Sequence, residues 1–162
     1  MLNQQSKIKN QQSTIARSKE LIVVEAACTW IDADRFAGIS SSHHAVVVDA
    51  GKDKSANSPM ELVLIGLCGC TASDVVSILR KKRESVISLE VHARAERAPD
   101  PPTVYTEIHL TYRVGGKVSH KAMEDAVRLS EEKYCSVAAM LNKTAKISYD
   151  IEYVADEKIA GD

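Results

Sequence analysis

Four cysteines are the residues of this chain best equipped for covalent chemistry: Cys28, Cys68, Cys70 and Cys135. Cys68 and Cys70 stand two positions apart in the run SPMELVLIGLCGCTASDVVSIL, residues 58–79, which reads as a helix. Helical residues advance by about 100° each, so these two thiols point to roughly opposite faces. Cys68 shares its stripe with Leu64, Ile65, Ala72, Val75, Val76 and Leu79. On so aliphatic a face a cysteine behaves as a small buried hydrophobe. Cys70 shares its stripe with Val63, Gly66, Leu67, Ser73, Asp74 and Ser77. Small and polar neighbours suit either a partly solvated thiol pocket or a close helix–helix contact.

Cys135 falls in a break just before the short helical run VAAMLNK, at or next to its N-cap. Free backbone N–H groups and the positive end of the helix dipole favour a thiolate there. Lys133 adds a positive charge close by in sequence. The bland alternative is a loop cysteine that packs inward. A thiol on a polar helix stripe and a thiol at a helix start together point to a redox pair, while periodicity leaves open whether the two meet. There is no C-x-x-C pair and no nearby H-x-x-x-H, so the cysteines do not follow structural zinc spacing. His43, His44, His92, His109 and His120 show no ligand spacing either and read as structural or solvated. His92 and His109 are candidates for cross-strand neighbours.

The elements that must position these thiols can be read from pattern. LIVVEAACTW, RFAGIS and HHAVVVDA read as three strands of an antiparallel meander, with a turn at residues 32–34. Ser58, Pro59 and Glu61 give a helix start with a capping box, and the helix runs to about Arg83. Residues 86–97 and 103–114 form a long hairpin that Gly115-Gly116 ends. Ser119 caps a second helix to about Lys133, Ser136 caps a short third, and AKISYDIEYV is the last strand. The fold class is α+β, with antiparallel sheets around a long central helix.

Composition sets the outer bounds. A chain of 162 residues with 44% hydrophobic residues fits one domain with a real core, here over 19–155, with polar tails at 1–18 and 156–162. Only 4% are aromatic, a thin supply for a small core, and oligomerisation is a common remedy. With 21 basic and 22 acidic side chains, nothing points to nucleic acid or a membrane surface. The longest apolar stretch, Leu62 to Cys70, falls short of the ~20 residues that span a bilayer. The N-terminal segment has no apolar core of a secretory signal. The expected compartment is the cytoplasm, where a disulfide tends to be transient or catalytic.

Three segments resemble the OsmC/Ohr family of thiol-dependent hydroperoxide reductases: SPMELVLIGLCGCTASDVVSIL, AVRLSEEKYCSV and TWIDADRFAGISSSHHAVVVDA. The likeness spans roughly residues 20–154. Pro-Met-Glu-Leu with Cys-Thr, and Glu-Lys-Tyr-Cys-Ser-Val, look most like the OsmC-like branch. The resemblance implies an intertwined homodimer with paired-cysteine sites at the subunit interface. It implies Cys70 as the peroxidatic thiol, Cys135 as the resolving thiol, a small hydroperoxide as substrate and a lipoyl- or thioredoxin-like dithiol as reductant. No cofactor, metal, nucleic acid or membrane is implied. Peroxide-reducing members carry a carboxylate directly after the helix-starting proline, paired with an arginine. Here that position is Met60 and the acid follows at Glu61, where it also serves as a cap. Arg35, in ADRFAG, best matches the arginine and also reads as a solvated turn residue. A non-enzymatic ligand-binding or redox-sensing dimer is the alternative reading.

Overall fold

The computed structural model describes residues 21–155, so the tails expected at 1–18 and 156–162 lie outside the described residues. Its longest element is α1 (Pro59–Lys81). The Ser58 hydroxyl accepts from the Glu61 N–H while the Glu61 carboxylate accepts from the Ser58 N–H, closing the expected capping box. Arg80 and Lys81 occupy the last turn, where they complement the negative end of the dipole. The helix buries Leu67, Thr71, Val75 and Leu79, one residue every four, on a single face. This stripe runs between the two cysteine stripes. Cys68 and Cys70 therefore flank the core, each half-buried, and Cys68 is not the fully enclosed hydrophobe that its aliphatic neighbours predict.

By length and composition α1 is also apolar enough to cross a membrane, which the shorter stretch Leu62–Cys70 conceals. Its packing makes it the core helix of a layered fold. One face lies on a sheet of β4 (Ser85–Arg97), β5 (Tyr105–Lys117) and β6 (Lys146–Val154), in that order. Tyr105, Ile108, Leu110, Tyr112 and Val114 of β5 are buried, and they join the α1 stripe in one hydrophobic core. Ala122, Met123, Ala126 and Val127 of α2 (His120–Leu129) close that core from the far side.

The sheet departs from expectation in two ways. The hairpin does not end at Gly115-Gly116, because β5 runs on to Lys117 past a register shift opposite Val86 and Ser88. A side chain on Gly115 would meet the Ser88 hydroxyl at 2.5 Å, and Gly116 has φ +113°. Here the glycines permit a bulge rather than mark a turn. The second departure is β6, which pairs with β5 in parallel. The chain between them passes through α2, a π-helical turn (Ser130–Tyr134) and α3 (Ser136–Leu141). Such a crossover brings the chain back in its original direction.

The remaining strands, β1 (Ala26–Asp32), β2 (Arg35–Ser40) and β3 (Ala45–Asp49), form the expected antiparallel meander. β1 begins several residues later than the apolar run suggests, and Leu21 to Val24 are exposed ahead of it. Trp30, Ile31, Ile39, Val46 and Val47 are also exposed on this sheet. A bridge between Val48 and Asn57, with the Asp49 N–H donating to the Asn57 carbonyl at 3.1 Å, ties the sheet to the start of α1.

Candidate active site

Asp74 follows Cys70 by one helical turn, which sets both side chains on one face of α1. Cys135 arrives from the other side of the core by an irregular route. The apolar positions of α2 lead on to Ser130 at the next inward place. There the helix widens, and the Cys135 N–H reaches back five residues to the Ser130 carbonyl at 2.8 Å. A regular helix to Lys133 is therefore replaced by a π turn over Ser130–Tyr134. Cys135 then adopts extended backbone, φ −70° and ψ 101°, and is itself the N-cap of α3 in place of the expected Ser136. Its sulfur accepts a hydrogen bond from the Ala138 N–H at 3.4 Å. The outcome is a compact triad: the Cys70 and Cys135 sulfurs and a carboxylate oxygen of Asp74 all lie within 4.8 Å of one another.

Cys135 is 2% exposed. Burial pushes its thiol up to about 12, a hydrogen bond with Cys70 adds to the shift, and the acidic Glu131 nearby acts in the same direction. The Ala138 N–H pulls the other way, as expected of a helix start, but burial outweighs it. Burial thus favours the protonated form of Cys135. Lys133, the expected nearby cation, stands over the Tyr134 ring at 5.4 Å.

Behind the thiols lies a polar network that the sequence pattern does not assemble. The Thr71 hydroxyl lies 2.6 Å from the Tyr112 hydroxyl and 2.9 Å from that of Ser130. Tyr112 donates to the Glu131 carboxylate at 2.9 Å, and Ser130 donates to the Asp74 carboxylate at 3.0 Å. Thr71, Tyr112 and Ser130 are fully buried. Burial holds the Glu131 carboxyl above its ordinary range, against the bonds from Tyr112 and Thr71, and the charge of Asp74 raises it further. Burial likewise raises the Tyr112 phenol. Two faint signals in the sequence point towards this network. Ser130 is a polar residue on the apolar face of a helical pattern, and Tyr112 carries a hydroxyl at an inward position of a strand.

Glu61 and Arg35 have other partners. The Glu61 carboxylate accepts from the Ser58 N–H at 2.7 Å, the Ser58 hydroxyl at 2.6 Å and the Lys54 ammonium at 3.0 Å. The Ser58 bonds, with help from Lys54, hold its pKa at about 2. It precedes Cys70 by about 13 Å along the helix axis, as its role of cap requires. Arg35 donates through Nε to Asp32 at 2.7 Å and faces Asp49 across the β2–β3 register. The charged groups around the thiols, among the described residues, are the acids Asp74 and Glu131.

A thiol pair, one half-buried and one enclosed, at the junction of a central helix and a crossover, in an α+β fold with two small sheets, defines a class. Residues 51–150 match the family described as "OsmC-like protein", and the chain belongs to that family. Among individual relatives, the chain is 42% identical over 133 residues to Protein YhfA of Escherichia coli strain K12, covering 82% of this chain and 99% of that one. A solved structure of a hypothetical protein from Aquifex aeolicus VF5 is 32% identical, with a TM-score of 0.77, covering 85% of this chain and all of that one. An organic hydroperoxide resistance protein OsmC from Legionella pneumophila shares the fold at 13% identity, with a TM-score of 0.64, over 83% of this chain and 99% of that one.

Proposed function

We propose that this protein is a cysteine-based peroxidase that reduces organic hydroperoxides through Cys70 and Cys135. The observation that carries the reading is the sulfur pair itself: the two atoms lie within 4.8 Å, one half-exposed and one enclosed. In the first step the Cys70 thiolate takes the distal peroxide oxygen and becomes a sulfenic acid. The O–O bond breaks, and the released alkoxide gains a proton to leave as the alcohol. In the second step the Cys135 sulfur attacks the Cys70 sulfur, forming a disulfide and releasing water before further oxidation can occur. A dithiol of lipoyl or thioredoxin type then reduces the disulfide by exchange. Membership of the family, and the name of the Legionella protein of the same fold, agree with this chemistry.

Among the described residues, no positive charge stands with Asp74 and Glu131 at the thiols. Asp74 sits within 4.8 Å of both sulfurs, where it opposes a second negative charge. At a separation near 5 Å and an effective dielectric of 20, like charges repel by roughly 3 kcal/mol. A second copy of the chain answers this need. In this reading the protein is an intertwined homodimer, the exposed apolar residues of β1–β3 and the uncovered flank of α1 are buried between copies, and Arg35 of one copy approaches Cys70 of the other. Glu61 acts as a cap, and the compartment is the cytoplasm.

The acid-rich surroundings favour one rival, a redox-sensing or ligand-binding dimer with slow peroxide chemistry. Reduced protein treated anaerobically with cumene hydroperoxide separates the two. The peroxidase loses two of its four thiols per chain quickly and turns over with a dithiol, whereas the rival shows negligible turnover and gains melting temperature with an apolar ligand. An equal thiol loss in Cys70→Ser contradicts the assignment of the attacking sulfur.

A further inference from the structure

Resolution of a sulfenic acid poses a proton problem at this site. Cys135 is enclosed, its sulfur lies within 4.8 Å of that of Cys70, and burial favours its protonated form. To attack the Cys70 sulfur it must lose that proton, and the hydroxyl leaving Cys70 must gain one. The thiol cannot shed its proton to bulk water directly, because it is 2% exposed. Among the described residues, the charged and titratable groups facing it are Cys70 and Asp74 from α1, Tyr112 from β5 and Glu131 from the π turn. Tyr112 already donates its proton to Glu131, so it offers no basic site. Glu131 is occupied by Tyr112 and by Thr71 at 3.4 Å.

We propose that Asp74 is the proton-transfer group of the disulfide-forming step, taking the proton from the Cys135 thiol and giving it to the oxygen that leaves Cys70 as water. Its carboxylate lies within 4.8 Å of both sulfurs, so a single group, directly or through one water, serves both ends of the exchange. Its place is fixed rather than incidental. Ser130 donates to it at 3.0 Å, Thr71 lies 2.9 Å from Ser130, and both hydroxyls are fully buried. The residue that anchors Asp74, Ser130, is also the one whose carbonyl sets the π turn and so positions Cys135. The step balances. One S–H bond and one S–O bond break, and one S–S bond and one O–H bond of water form. The two electrons that the peroxide removed from Cys70 leave a disulfide shared with Cys135, and Asp74 ends as it began.

The proposal rests on the peroxidase reading only for its oxidant. Diamide, which adds to a thiolate and is then displaced by a second thiol as the hydrazine, demands the same proton transfer and tests the step without peroxide. The experiment follows closure of the Cys70–Cys135 bond by stopped flow, with each oxidant, across pH values from about 5 to 9, a range that spans the switch from carboxylate to hydroxide as base. Asp74→Asn is expected to slow closure on the order of 10²-fold near pH 7, the usual worth of a positioned acid–base group. Its rate should climb with pH as hydroxide replaces the carboxylate, and Asp74→Glu should recover part of the loss. Where Asp74→Asn fails to fold, Ser130→Ala, which removes the donor to Asp74, should show a smaller slowing with the same rise in pH dependence. Closure by Asp74→Asn or Ser130→Ala within about 2-fold of the natural protein, against the ~10²-fold expected of such a group, or a slowing equal at every pH, overturns the proposal. A protein that closes with diamide but forms no sulfenic acid with cumene hydroperoxide sinks the peroxidase reading instead, and the diamide rates alone then decide the role of Asp74.

Discussion

The two sheets of this protein solve the same problem differently. β4–β6 is covered by α1 and α2, and its inward residues from Tyr105 to Val114 are buried. β1–β3 is richer in apolar residues, yet Trp30 remains 64% exposed, and Ile31, Ile39, Val46 and Val47 are exposed as well. Strand alternation puts Trp30 and Val46 on one face and Ile31, Ile39 and Val47 on the other, so both faces carry exposed apolar side chains, a feature of interaction surfaces. The polar groups divide in the same way. Around the thiols each buried side-chain donor or acceptor has a partner within the chain. Arg35 on the open sheet pairs locally with Asp32 and faces Asp49 across the register. In the homodimer proposed above, the covered half is complete within one chain, and the open sheet supplies the surface and the cation for a second.

Placing a charge on the open sheet should abolish this division of labour most completely. Val47→Asp is expected to convert a dimer to monomers in sedimentation and to remove most hydroperoxide turnover; unchanged mass and turnover would detach the sheet from the site. Next in size is Arg35→Met, expected to lower kcat/KM on the order of 10²-fold, the worth of one positioned charge stabiliser. If each site borrows its arginine, mixing Arg35→Met chains with Cys70→Ser chains restores activity in the mixed dimer, because one site is then intact. No recovery on mixing keeps the arginine within its own chain or out of the reaction.

On the covered side, Thr71→Val strips a hydroxyl from the buried network and leaves Tyr112 and Ser130 short of a partner. Denaturant unfolding should show a loss of about 1–3 kcal/mol. No loss would mean the network closes without it. The smallest effect concerns Glu131, whose carboxyl burial holds above its unfolded value. A raised carboxyl contributes stability that is full below the unfolded pKa, about 4.3, and is lost as pH rises through the folded one. The natural protein therefore carries a penalty at neutral pH that Glu131→Gln avoids. Melting curves should show the variant more stable near neutral pH, with the gain vanishing as pH falls towards the unfolded carboxyl pKa of about 4.3; a constant difference would point to packing instead.

Much of this architecture is legible in the residues. The capping box fixes the start of α1 because its signal is local and chemical, and the alternation of β5 marks its buried face for the same reason. What stays hidden depends on contacts distant in sequence. The parallel pairing of β6 follows from how three helical segments cross the sheet, which no strand pattern encodes. The glycines at 115 and 116 look like a stop because a bulge and a turn ask for the same residue. Cys70 and Cys135 are readable as candidates, but their meeting needs the π turn, a defect in a helix whose apolar period gives no warning. Asp74 stands in plain view on the Cys70 stripe. Its importance emerges only when the second sulfur arrives beside it.

Whether Cys70 and Cys135 are the working pair can be decided by mapping the disulfide that forms when reduced protein meets one equivalent of cumene hydroperoxide. Peptide mass spectrometry should find the bond between Cys70 and Cys135, with Cys28 and Cys68 still alkylatable. A disulfide joining any other pair, or none at all while peroxide is consumed, rules that pairing out.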